Sequence, residues 1–129
     1  MSNSFADLYS KMLKDVFLDL AHQQLEQGAD ALSCADAYAE QGKPDFTLAY
    51  LLLIDASDDV KRDIFARSYE QRATLSEQKA NDFSVQFHRA FPMIKVEAQK
   101  DRQAAQQIRQ GKRVRSQAKT FSINFVGPQ

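Results

Sequence analysis

The fold is decided by the stretch Phe46-Thr47-Leu48-Ala49-Tyr50-Leu51-Leu52-Leu53-Ile54, which is the most apolar run of the chain and has no polar face. A helix that is hydrophobic on all sides must be surrounded by other elements. With its flanks it spans about a dozen residues, too short to cross a bilayer, which needs roughly 20. The stretch therefore predicts a buried central helix (46–54) in a small all-α bundle that does not enter a membrane.

Ahead of this stretch, the spacing of apolar residues predicts two further helices. Residues 5–20 carry apolar side chains every three or four positions, so one long first helix is expected to begin after Ser4 and to end at Gly28. Asp30 is a suitable N-cap for a second, shorter helix that runs to Glu40. We expect both helices to pack against the central one.

After the central helix, apolar residues keep one helical phase from Leu75 to Ile108 and pass through Pro92 without a change of phase. This continuity predicts a long C-terminal helix that is kinked at Pro92, because proline removes a backbone hydrogen bond inside a helix. The expected organisation is a helical bundle domain with this long helix over residues 1–110 and a basic linker with a tail over 111–129.

The tail differs in pattern from the rest of the chain. Residues 120–126 alternate polar and apolar side chains, with Phe121, Ile123 and Phe125 at every second position. Such alternation is typical of a half-buried extended segment. We expect the segment to fold back on the bundle, to cross to a partner molecule, or to order only on binding.

The formal net charge of zero conceals a strong asymmetry. Residues 1–60 contain eleven Asp and Glu against three Lys and Arg, whereas residues 61–129 contain six against fourteen. A basic segment over residues 102–119 predicts, as the alternative function, binding to nucleic-acid phosphates. The candidate contacts are Arg109, Lys112, Arg113, Arg115 and Lys119. A pI near 6.7 favours instead a basic tail that keeps the protein in solution, or one that docks on the acidic half of a neighbouring molecule.

Two groups of residues in the sequence have the chemistry that a metal site or a catalytic site requires. The side chains of Asp15, Asp19, His22 and Glu26 share one strip of the first helix, which is part of the pattern that a metal-binding helical bundle needs. The sequence offers no second carboxylate–histidine pair, so a metal site is a third hypothesis. Cys34 lies among alanines, as a buried thiol does, and the four glycines are isolated. We therefore expect no enzyme and no cofactor.

The favoured function is a non-catalytic helical protein–protein interaction module that associates with itself, in the cytoplasm. The reason is that the apolar stripe of the long C-terminal helix continues beyond the length that the other helices can cover. The candidate interface consists of Phe87, Ile94, Ala98, Ala105, Ile108, Phe121, Ile123 and Phe125.

Overall fold

The computed structural model describes residues 4–114, and this part of the chain forms six α-helices and one turn of 3₁₀ helix, with no strand. The elements are α1 (Phe5–Tyr9), the 3₁₀ turn (Ser10–Met12), α2 (Asp15–Glu26), α3 (Ala31–Glu40), α4 (Pro44–Leu51), α5 (Asp58–Phe87) and α6 (Pro92–Arg109). The prediction of an all-α bundle with a long C-terminal helix is confirmed. None of the described helices is long and apolar enough to span a membrane.

The central apolar stretch forms α4, which contacts α2, α3 and α5. Its residues from Thr47 to Leu51 are all buried. The helix begins earlier than predicted, because Pro44 occupies its first turn and Lys43 precedes it. It also ends earlier, and residues 52–54 form a half-buried turn against the core.

The predicted first helix is divided, because its two halves pack against different helices. The ring of Tyr9 in α1 lies 5.3 Å from that of Phe65 in α5, measured between ring centroids. The ring of Phe17 in α2 lies 4.9 Å from that of Phe46 in α4. The 3₁₀ turn and an extended residue at Leu13 (φ −92°, ψ 132°) change the chain direction between the two contacts. One straight helix could not reach both partners.

The chain does not continue through Pro92 as a kinked helix; it reverses direction there. α5 ends at Phe87, and the next residue, His88, adopts a left-handed conformation with φ 54°. Phe91 is extended (φ −125°, ψ 70°), as expected before a proline, and Pro92 occupies the first turn of α6. The steady apolar phase across Pro92 arises because α5 and α6 turn their apolar stripes towards each other.

Candidate interaction surface

α5 and α6 form an antiparallel hairpin whose register is fixed by arginine–carboxylate pairs. The pairs are Arg72–Asp101, Arg102–Glu77, Arg109–Asp63 and Arg109–Glu70. Residues 63 and 70 of α5 meet residue 109 of α6, whereas residues 72 and 77 meet residues 101 and 102, so the helices run in opposite directions. The guanidinium of Arg72 donates two hydrogen bonds to the Asp101 carboxylate, of 2.9 Å and 2.8 Å. Such two-point, charge-assisted contacts are geometrically specific.

The predicted nucleic-acid residues divide into three groups. Arg109 is already engaged, because its guanidinium donates to Asp63 at 2.6 Å and to Glu70 at 2.7 Å, and its hydrogen bond lowers the pKa of Asp63. Lys112 and Arg113 are exposed. Arg115 and Lys119 lie outside the described residues. Binding to nucleic acid stays a prediction, with Arg109 committed to contacts inside the chain.

The predicted interface residues are also separated by the structure. Ala98, Ala105 and Ile108 are fully buried within the chain, so they present no surface to a partner in this conformation. The expected uncovered stripe does not exist at these positions, because the helix folds back on α5 and does not extend away from the bundle. Ile94 is half-buried and Phe87 is exposed. Phe121, Ile123 and Phe125 lie outside the described residues.

Exposed apolar side chains nevertheless collect on one part of the hairpin. We call residues 75–97 the distal hairpin. Of the nine large apolar side chains that are exposed in the described part of the chain, five lie here: Leu75, Val85, Phe87, Met93 and Val96. Val85 is 76% exposed and Met93 is 67% exposed. Exposed apolar side chains that collect in one part of a protein make that part a candidate interaction site.

The end of the distal hairpin, residues 83–93, is an aromatic cluster that we call the hairpin tip. The ring centroids of Phe83, Phe87 and Phe91 lie 5.7–6.3 Å apart in edge-to-face arrangements. The guanidinium of Arg89 lies 5.6 Å from the centroid of the Phe91 ring. Because the rings hold one another, the tip presents a pre-arranged apolar surface although Phe87 is 52% exposed.

A groove with a volume of about 600 Å³ runs along the distal hairpin between α5 and α6, and it shares Phe83 and Met93 with the tip. Its apolar residues are Leu75, Phe83, Met93 and Ile94, and its polar border consists of Gln41, Arg72, Ser76, Lys79 and Glu97. Gly42 closes one end, where the α3–α4 turn meets α5. This volume falls within the range typical of ligand pockets, roughly 300–1,000 Å³.

The predicted metal residues Asp15, Asp19, His22 and Glu26 all lie on α2. Within residues 4–114, no three His, Cys, Asp or Glu side chains form a group that could hold a metal ion. Cys34 is half-buried in α3. These residues do not form the candidate site.

Phe87 and Ile94 were predicted as interface residues from the sequence, but the aromatic tip and the groove were not. Phe83, Phe87 and Phe91 recur at a spacing of four, which is a signal for one shared surface. The groove has no local sequence signal, because it is bounded by residues from three separate segments. It could be recognised only once the reversal at Pro92 was known.

The tip and the groove are the two features of the described surface that require a functional explanation. No family model matches the chain, and neither does any curated protein or solved structure. The chemistry of the distal hairpin itself is therefore the basis for assigning a function.

Proposed function

We propose that the protein is a non-catalytic helical module for protein–protein interaction, and that its hairpin tip binds the tip of a second copy of the same chain. The observation that carries this proposal is the aromatic cluster of Phe83, Phe87 and Phe91, which is pre-arranged and partly exposed. Aromatic side chains are enriched at the centres of protein interfaces, where they bury large apolar areas.

The architecture of the distal hairpin favours a second hairpin as the partner. Two antiparallel helices shield each other's apolar side chains on one side only, whereas four helices enclose a common core. A pair of hairpins related by twofold symmetry uses the same surface on both copies. Phe87 then becomes buried on each copy, and full burial of such a side chain is favourable by about 1.5–3 kcal/mol.

The charges of the distal hairpin are compatible with association of identical surfaces. Residues 75–97 contain three acidic and three basic side chains: Glu77, Asp82, Glu97, Lys79, Arg89 and Lys95. A surface with a large net charge of one sign would repel its own copy, whereas this balanced surface does not. Self-association therefore has an apolar driving force without a large electrostatic cost.

Sedimentation velocity of the full chain over a micromolar concentration series tests this proposal. The tip variant carries Val85→Glu and Phe87→Glu. The matched control carries Val16→Glu and Leu20→Glu, two exposed apolar residues of α2 that lie outside the tip. We expect the wild type and the control to sediment as a dimer or larger species and the tip variant to sediment as a monomer.

Far-UV circular dichroism of all three proteins establishes that the substitutions leave the helices intact. A wild-type chain that sediments as a monomer throughout the series would refute self-association. Equal dissociation of the tip variant and the α2 control would place the interface elsewhere.

A further inference from the structure

We propose that the groove between α5 and α6 binds residues 120–126 of the same chain. The groove is an apolar surface left open by the described residues, and the segment is the most apolar part of the chain beyond Val114. The inference does not depend on association between copies, because the segment binds within one molecule. The groove shares Phe83 and Met93 with the hairpin tip.

The segment and the groove match in length. Leu75 and Phe83, the two apolar residues of α5 that line the groove, are eight residues apart, which corresponds to about 12 Å at 1.5 Å per residue. Phe121 and Phe125 are four residues apart, which corresponds to about 13 Å in an extended chain at roughly 3.3 Å per residue. An extended segment therefore places Phe121, Ile123 and Phe125 along the whole apolar floor.

The polar groups of the two partners match as well. The segment Thr120-Phe121-Ser122-Ile123-Asn124-Phe125-Val126 contains no charged residue, so its burial requires no desolvation of charge. Its backbone amides and carbonyls do need hydrogen-bond partners. Gln41, Ser76 and Lys79 border the groove and carry side chains that can supply them.

The linker is long enough for binding within one molecule. Its start is fixed, because the hydroxyl of Tyr9 donates a 2.6 Å hydrogen bond to the carbonyl of Lys112, and Val114 packs on the core. Tyr9 contacts Phe65, which is ten residues, or about 15 Å along α5, from Leu75. The seven residues from Val114 to Phe121 span up to about 23 Å. The linker is therefore longer than the distance of about 15 Å along α5 to Leu75. The remaining length allows the chain to pass from the core to the groove.

The experiment uses tryptophan fluorescence, because the natural chain contains no tryptophan. Phe121→Trp and Phe125→Trp are made singly in the full-length protein, and emission maximum and acrylamide quenching are measured in buffer and in urea. We expect both reporters to be blue-shifted and several-fold less quenched in buffer than in urea. Because the segment binds within its own molecule, the values should not change across a micromolar concentration series.

A matched pair of second substitutions assigns the shielding to the groove. Met93→Glu adds a charge to the groove at an already exposed residue, so the fold tolerates it. Val96→Glu adds the same charge to an exposed residue of α6 that does not line the groove. Met93→Glu should shift the reporter emission to that of exposed tryptophan, whereas Val96→Glu should not.

Four results would overturn the inference. The reporters could be as quenched in buffer as in urea, or Met93→Glu and Val96→Glu could have the same effect. Shielding that grows with protein concentration would show that another copy supplies the segment. Shielding that is lost in the tip variant with Val85→Glu and Phe87→Glu would place the segment at the tip. A monomeric wild type, which refutes the proposed function, leaves the expected fluorescence unchanged.

Discussion

Gly42 offers the sharpest test of how the bundle supports the distal hairpin. It lies in the turn between α3 and α4 with φ +68°, a backbone conformation that residues with a Cβ atom rarely adopt. A Cβ atom at this position would lie 2.8 Å from the Cα and 2.9 Å from the backbone nitrogen of Arg72 in α5. The obstacle is backbone in the middle of a long helix, so it cannot move away as a flexible side chain would.

Gly42→Ala therefore carries two separate costs. The left-handed conformation is unfavourable for alanine by about 1–2 kcal/mol, and overpacking against the backbone of α5 adds about 1–3 kcal/mol. Gly111→Ala is the matched control, because Gly111 has nearly the same φ, +71°, and no described atom within 4 Å of the added Cβ. The control should carry the conformational cost alone. Gly42→Ala should then be the less stable variant by about 1–3 kcal/mol.

Urea unfolding followed by circular dichroism at 222 nm measures both free energies of unfolding by linear extrapolation. The comparison requires equal m-values for the two variants, since a changed m-value indicates a changed unfolded or folded state. If Gly42→Ala were no less stable than Gly111→Ala, the close approach of the α3–α4 turn to Arg72 would be wrong.

Three further predictions concern the core, the pH dependence and the basic segment. Leu51→Ala should lower the free energy of unfolding by about 2–5 kcal/mol in the same urea assay, because Leu51 is fully buried. Leu52→Ala should lower it by clearly less, because Leu52 is half-buried. Equal losses would contradict the observed end of α4. Burial raises the pKa of Tyr9 from 10.0 to about 12, so the stability that the neutral phenol provides is complete below pH 10 and is lost as pH rises to about 12. The loss is at most about 2.7 kcal/mol, and less where solvent screens the phenolate. Tyr9→Phe should flatten this part of the pH profile, and an unchanged profile would exclude Tyr9 as its origin. Finally, the wild type should not be retained on immobilised DNA at low salt. The nucleic-acid hypothesis would be favoured instead by retention that weakens as salt rises and disappears when four residues are changed to Ala: Lys112, Arg113, Arg115 and Lys119.

The sequence predicts the structure correctly where a residue and its neighbours in the chain allow only one local conformation or environment. Asp30 caps α3 by accepting a 2.9 Å hydrogen bond from the backbone N–H of Ser33, and the helix occupies the predicted residues up to Glu40. Residues 47–51 are buried because this stretch has no polar face that could meet water. In both places, neighbours in the sequence decide the structure.

The reversal at Pro92 could not be predicted from local sequence, because proline in a kink and proline in the first turn of a new helix leave the same signal. What decides between them is contact between distant residues. Arg72 meets Asp101, and Ala98 and Ala105 have side chains small enough for α6 to approach α5 closely. For the same reason, the sequence cannot show that the charge of Arg109 is paired, because its partners lie 39 and 46 residues earlier in the chain.

The attachment of α1 has a consequence for the order in which the structure opens. α1 has only five residues, and it is held by contacts with distant parts of the chain: the backbone N–H of Phe5 donates to Asp58, and the hydroxyl of Tyr9 donates to Lys112, 103 residues away. The α5–α6 hairpin, by contrast, consists of contacts between consecutive helices, which form quickly because little loop entropy is lost. α1 can dock only after that hairpin exists, and it should be the first element to detach from the native state. Its amides should therefore exchange with solvent while those of α4 and α5 remain protected. Each such opening also releases Lys112, so the two ends of the described chain loosen together.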